Sequence, residues 1–446
     1  MEIPATHANA ARLYGPEFAV NPAGLYQELR RRHGGVAPVL LEGDVPAWLV
    51  LSYREAHFVL SSPHVFGPDS RRWNLWDQIP PQWPLLPFVA WTPSVLHAEG
   101  AGHQRRSDAI SDMLDSVNRT DLARLSERLA DRLIDGFAGN GKADLMTQFA
   151  QQIPFRLVAR LNSIPEDEIA ATAIDMLIAA TQGPDSIEAY ERGVERIRKR
   201  VREFRARPDS GLGAVLVAHP AGLTDEEATM DLLMVMKSAQ QPTSDWIGNT
   251  LRLMLTDDQF SLTLQGGRSS VDQALNEVLW KDTPVQNMVG PWAIQDCEVG
   301  GQLIHQGDML VICLAAANAD PHVRPGSSGD VGVNRAHMSF AHGDHACPFA
   351  APEVAEIVAR TAIQVLLDRV PDVELAVPPE ALAWRESPWD RGLKSLPVTF
   401  TPAPLGTDGV VMLTAAEGRD NFPQDVRGAP CVGIVRDHAE QVPDPQ

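Results

Sequence analysis

Hydrophobic residues first recur at helical intervals between Gly24 and Arg32, and this helix ends at a Gly-Gly pair followed by a strand pattern. Trp48-Leu-Val-Leu51 is a short apolar run between Gly43-Asp44 and Ser52, the form of a buried strand. Arg54 to Leu60 is helical again and stops at Ser62-Pro63. From Pro68 to Gly100 the periodicity fails. Four tryptophans (Trp73, Trp76, Trp83, Trp91) and six prolines fall in this stretch, which predicts a long aromatic-lined loop. Such loops often serve function, and equally often pack their rings onto the core.

The next 150 residues or so are almost wholly helical in pattern. Three- and four-residue apolar spacing marks helices over Ala109–Leu114, Leu122–Phe137, Leu145–Leu161, Glu166–Thr181 and Ser186–Arg205. Thr224-Asp-Glu-Glu has the form of a capping box and opens a long helix from Asp225 to Leu255. A shorter helix follows over Ser270–Trp280. After Asp282-Thr-Pro284 the pattern turns to strands, with a hairpin through Val299-Gly-Gly and Ile304 that returns along Met309–Leu314. A last helix is expected over Pro352–Val370, and short strands from Val373 to Phe400. The fold class is mainly α with a small β-domain. Residues 1–402 read as one domain, with the β-subdomain drawn from about 35–60, 290–315 and 373–400 and a weakly patterned tail over 403–446.

Charge narrows the function. With 38 basic and 58 acidic side chains the net charge is −20, which argues against a nucleic-acid or anionic-membrane grip. The N-terminus has no apolar leader and no stretch is long enough to span a membrane, so a cytoplasmic location is expected. Four cysteines in a chain of this length make no disulfide framework. Cys297, Cys313 and Cys431 read as plain thiols. Arg192, Arg196, Arg198, Lys199, Arg200, Arg202, Arg205 and Arg207 alternate with Glu191, Glu195 and Glu203, the pattern of a solvated helix face.

Ligand-type side chains are densest in Phe340-Ala-His342-Gly-Asp344-His345-Ala-Cys347-Pro348, just before the last helix. Three chemistries compete for it. Zinc could use His342, His345 and Cys347, but a structural zinc site draws on a second ligand pair that is not evident. A catalytic cysteine would need His345 as its base, and sequence neighbours rarely have that geometry. A thiolate on haem iron needs a cysteine ahead of a helix N-terminus, a glycine for the turn and a basic residue for a propionate. Cys347, Gly343 and His345 supply these.

Phe340-x-x-Gly343-x-His345-x-Cys347 resembles the haem-binding signature of the cytochrome P450 family. Pro22 to Arg30 with Pro46-Ala-Trp48-Leu-Val50, Ala98-Glu-Gly-Ala-Gly102-His103, Ala316-Ala-Asn318-Ala-Asp320-Pro321 and Pro388-Trp-Asp-Arg391-Gly-Leu-Lys-Ser-Leu396-Pro397-Val398 resemble further family segments in order, from about Asn21 to Phe400. The resemblance implies a haem-thiolate fold holding haem b, with Cys347 as the iron ligand and Phe340, Gly343, His345 and Pro348 around it. It also implies a propionate contact at His103 and a distal helix passing the haem at Ala239 and Thr243. The implied activity is monooxygenation of a small apolar molecule with electrons from a ferredoxin and its reductase.

Three departures from the family pattern bear on mechanism. Where the central helix should read Ala-Gly-x-acid-Thr, this chain has Ala239-Gln240-Gln241-Pro242-Thr243. The alcohol is kept, but the acid is a proline with neither a titratable group nor an N–H, and its ring should kink the helix, with Gln240 or Gln241 holding a water in place of the acid. The Glu-x-x-Arg motif appears as Glu277-Val-Leu-Trp280, which resembles an actinobacterial subgroup; Arg335 is then expected to pair with Glu277 directly. The glycine usual two residues after the cysteine is Phe349, and no arginine stands near Pro291. Thr243 has a role in oxygen activation or bonds its own backbone carbonyl. Two rivals to the monooxygenase stay open: a haem protein that docks partners or senses a ligand, and a peroxide-driven oxygenase.

Overall fold

A computed structural model describes residues 3–165, 168, 169, 171, 172, 175, 186–207, 211–257, 269–323 and 334–402. The helix expected at 166–181, Cys431 and the tail over 403–446 lie largely or wholly outside these.

Among the described residues eleven strands form: β1 (Ala11–Arg12), β2 (Val36–Leu41), β3 (Val45–Val50), β4 (Phe66–Gly67), β5 (Lys142–Asp144), β6 (Met288–Ala293), β7 (Cys297–Val299), β8 (Gln302–Ile304), β9 (Met309–Ile312), β10 (Glu374–Leu375) and β11 (Pro397–Thr399). The main sheet runs β1-β2-β3-β9-β6-β4. Every residue of β2, β3 and β9 is buried, which explains their unbroken apolar runs. The segment 373–400, expected in the same subdomain, instead pairs with β5 in a separate sheet of order β10-β11-β5. It therefore belongs to the helical side of the molecule.

The helices lie close to their expected positions. The central helix, Asp225–Thr256, starts at a complete capping box between Thr224 and Glu227 and continues through Pro242. Helices Gln152–Leu161, Ser186–Ala206, Ser269–Lys281 and Ala350–Arg369 pack against it. Apolar faces of Gln152–Leu161, Ser269–Lys281, Ala350–Arg369, the Arg119–Asp135 helix and the second half of the central helix, with β11, form the largest core cluster, while Ser186–Ala206 packs with the first half of the central helix in a separate one. The helix expected to begin at Ala109 starts earlier, at Gly100; the one expected from Leu145 is π-helical over Met146–Ala150 and α-helical from Gln152. The basic face of Ser186–Ala206 is compensated by neighbours, with Arg196 on Asp175, Arg198 on Glu195 and Glu226, Arg200 on Glu203 and Arg205 on Asp225. No helix among the described residues is long and apolar enough to cross a membrane.

The segment 68–100 has only short turns of helix. Trp73 and Trp83 are each 3% exposed and pack into the core on the main sheet, so packing accounts for these two rings. The segment is tied down along its length. Asn74 bonds Gly307 and Asp308 (3.1 and 2.8 Å), Trp83 Nε1 donates to Glu42 O (2.6 Å), and Val95 N donates to Asp231 Oδ1 (2.7 Å). Arg106 completes the last tie, donating from Nε to Asp231 Oδ2 (2.7 Å) and from Nη2 to Pro93 O (2.9 Å). A cleft of about 410 Å³ opens beside this tie, lined by Arg71, Trp91, His97, Glu99, Arg106 and Glu227 among others.

Candidate haem site

Residues 338–349 form a loop folded back on itself. Ala341 N donates to Met338 O (2.8 Å), Ala346 N to Gly343 O (3.1 Å) and Cys347 N to Phe340 O (3.0 Å). Ala341 and Gly343 have φ of 61° and 77°. At Gly343 a Cβ would overlap the main-chain oxygen of Leu60, so only glycine lets the loop lie this close to the Tyr53–Leu60 helix. Cys347 precedes the Ala350–Arg369 helix. Its side chain is open to solvent although protein encloses it on most sides, and that burial pushes the thiol up to about 11.

The two histidines of the loop diverge. His342 stacks on His57 (centroids 4.1 Å) and His345 lies against His103 (4.0 Å). They do not converge with Cys347, and no group of three metal-binding side chains occurs among the described residues. The zinc reading fails on this geometry. So does the Cys–His dyad, because no hydrogen bond links His345 to Cys347. His103 is 7% exposed on the Gly100–Asp115 helix, and burial holds His345 down to about 4. Phe340 packs edge-on to Trp246 of the central helix (6.0 Å). Pro348 O accepts from Ala351 N (2.8 Å) in the first turn of the following helix. Phe349 is 97% exposed, so its bulk displaces nothing in the loop.

On the central helix Ala239 is half-buried one turn before Thr243, which is 5% exposed. Ser244, Thr250 and Thr256 each donate to the carbonyl four residues back. Thr243 makes no such bond, and its hydroxyl has no partner among the described residues. The glutamines do not take the place expected of them. Gln240 borders a small apolar cavity with Phe155, Val158 and Met236, and Gln241 Nε2 is turned to the Asp245 carboxylate (3.1 and 3.2 Å).

The pairing expected between Arg335 and Glu277 is not formed. Arg335 bonds Glu356 of the Ala350–Arg369 helix instead (3.0 and 3.2 Å), whose side chain is partly accessible and also meets Arg360, whereas that of Glu277 is buried. Glu277 holds Lys281 one turn along (2.8 Å). Trp280, 3% exposed, donates its indole N–H to Asn334 O (3.0 Å) and meets His337 edge-on (5.7 Å). Sequence reasoning missed a buried group nearby: Asp245, Arg385 and Asp390. Arg385 Nη2 lies 2.5 Å from Asp245 Oδ2. The signal was available, since Asp245 is one turn beyond Gln241 and Asp390 lies inside the Pro388–Val398 family segment.

Comparison with known proteins agrees with this fold. No family model matches the chain. The polyketide biosynthesis cytochrome P450 PksS of Bacillus subtilis is 29% identical over 285 residues, covering 62% of this chain and 70% of that protein. The cytochrome P450 monooxygenase PikC of Streptomyces venezuelae is 27% identical over 405 residues, 86% of this chain and 92% of its own length. The solved structure of PksS superposes with a TM-score of 0.75 at 25% identity, covering 87% of this chain and 99% of that one. The fold and the cysteine loop define a haem-thiolate oxidoreductase. In sequence and fold the chain is similar over most of its length to cytochrome P450s, proteins whose cofactor is a haem iron.

The residues present fit that group. The glycine turn brings the loop hard against the Tyr53–Leu60 helix, the cysteine is open on one side, and the buried His103 lies against the half-buried His345, two residues before the cysteine.

Proposed function

We propose that the protein is a monooxygenase that inserts one oxygen atom of O2 into a small apolar molecule, with electrons from a ferredoxin and its reductase. The observation that carries this is the open Cys347 at the end of a loop shaped by Gly343 and fastened by the Cys347–Phe340 backbone bond. In this reading Cys347 would hold the iron, and His103 and His345 would meet the propionates. Haem supplies the iron at which O2 is reduced; the chain supplies binding, exclusion of water and protons. Cys347 would hold the iron as a thiolate even though burial opposes its ionisation, since a bound metal's charge favours the deprotonated form. The N-terminus of the following helix favours the resulting anion. Thr243, whose hydroxyl has no partner among the described residues, would supply a hydrogen-bond donor to the site, and Ala239 would leave room beside it. The name of PksS supports an organic small molecule as substrate.

The test is spectroscopic. The ferrous–CO complex of the purified protein is expected to show the red-shifted Soret band of thiolate ligation, and Cys347→Ala to lose it. Retention of that band in Cys347→Ala would overturn the assignment.

A peroxide-driven reaction is the second reading, favoured by Pro242 and by the engagement of Gln240 and Gln241 elsewhere. Product per electron from reduced ferredoxin, set against product from hydrogen peroxide on one accepted substrate, separates the two.

A further inference from the structure

The face of the central helix that carries Gln241, Asp245 and Asn249 turns to the turn 283–287 and the segment 385–392. Asp245 is wholly buried. It is held as a carboxylate by Arg385 and by the Gln241 amide. The main chain presses on this pair, because a Cβ at Gly392 would overlap Asp245 Oδ1. With its N–H committed, Gln241 keeps Oε1 without a protein partner among the described residues.

Asp390 lies on the adjoining segment. Its backbone is tied, with N donating to Ser387 Oγ (3.0 Å) and O accepting from Gln286 Nε2 (3.2 Å). The residue is 8% exposed, and its carboxyl has no hydrogen-bond or ion-pair partner among the described residues. The three segments that meet here also hold buried polar atoms without a partner: Asn249 Oδ1, Thr283 Oγ1, Asn287 Oδ1, Arg385 Nε and Trp389 Nε1. Leaving one such atom unsatisfied costs about 1–3 kcal/mol, and ordered water is the usual remedy.

We infer that ordered water links these atoms into a proton path ending at Gln241 Oε1, and that Asp390 is its proton donor, replacing the acid that position 242 lacks. This rests on the monooxygenase reading. Asp390 gives its carboxyl proton to an adjacent water, the hydrogen-bonded chain passes one proton to water on Gln241, and Asp390 recovers a proton from solvent. The Arg252–Asp282 pair, with side chains 20% and 21% exposed and Arg252 Nε without a partner among the described residues, marks the solvent end. Asp245 is a positioning residue, kept ionised by Arg385 so that Gln241 stays fixed. Burial raises both carboxyls and takes Asp390 to about 7, where an acid can give and regain a proton near neutral pH.

Infrared spectra of the haem-loaded protein carrying 13C-labelled aspartate decide the matter first. The band of a buried protonated carboxyl should be present at about pH 6 and gone by about pH 8.5. In Asp390→Asn it should be absent, with haem loading retained as the control of folding. Product per electron with reduced ferredoxin should fall in this variant by about tenfold or more, within reach of the loss of a general acid. A wild-type protein that forms product without a titrating band, or an Asp390→Asn protein coupled as tightly as wild type, overturns this inference alone. Product from neither ferredoxin nor peroxide in the wild-type protein would overturn the monooxygenase reading and this inference with it.

Discussion

Trp280 donates its indole N–H to the main-chain carbonyl of Asn334 across 3.0 Å, and so supports the segment that leads into the cysteine loop. An arginine at this place would act through charge; the indole acts through one neutral hydrogen bond and an edge-on contact with His337. Trp280→Phe keeps most of the volume and removes the bond. It should cost about 1 kcal/mol, lower the melting temperature slightly and weaken haem retention. A variant that melts and holds haem like wild type would show that the N–H is dispensable.

Gly343→Ala tests the loop more severely. The substitution meets both a left-handed φ of 77° and the oxygen of Leu60, and the main chain on either side has no slack. The expected product is a folded protein with little haem, measured as the ratio of Soret to protein absorbance. Normal loading would mean that the loop can stand further from the Tyr53–Leu60 helix.

Arg106 and Asp231 form a buried ion pair, with side chains 7% and 0% exposed. Removing one partner of such a pair strands the other, typically at a cost of about 3–5 kcal/mol. Arg106→Ala should therefore be strongly destabilised in urea or thermal melts, while Arg106→Leu combined with Asp231→Leu should recover much of the loss. Equal stability of the single and double variants would contradict this account.

The pH dependence of stability has a definite sign at Asp390. Its folded carboxyl titrates at about 7, beside Asp245 and Arg385, against about 4 when unfolded. Between these values the folded state holds a proton that the unfolded state has lost. Stability from this group therefore falls as pH rises from about 4 to about 7, by up to about 1.4 kcal/mol per pH unit. The half-buried His97 and His337, held down to about 4, act in the opposite sense up to about pH 6.5. The diagnostic quantity is thus the difference between wild type and Asp390→Asn, which should widen in the variant's favour as pH increases. Parallel curves would place the Asp390 titration elsewhere.

The helices were legible because each buries one apolar face, and that face is written at 3.6-residue spacing: Asp225–Thr256 was found to within one residue, with its cap. The cysteine loop was legible for another reason, since its chemistry sits in consecutive residues. What could not be read is pairing across long separations. Arg335 chooses Glu356 over Glu277, and Pro397–Thr399 joins Lys142–Asp144 rather than the main sheet. Both choices depend on which surfaces face each other after packing. Asp245 and Asp390 were invisible as a pair, being 145 positions apart. His103 and His345, 242 positions apart, came together in the reading only through family resemblance.

The fastening of residues 68–100 has a practical corollary for anyone wishing to alter what this protein accepts. A segment with four anchors, each made through a main-chain oxygen or a buried carboxylate, is a wall and not a door. Lengthening it or grafting another loop in its place would pull Trp83 and Val95 off their acceptors before it opened any new space. Re-engineering is better directed at single rings such as Trp91, which borders the cleft and is held by the Arg71 guanidinium stacked on it and not by a main-chain bond.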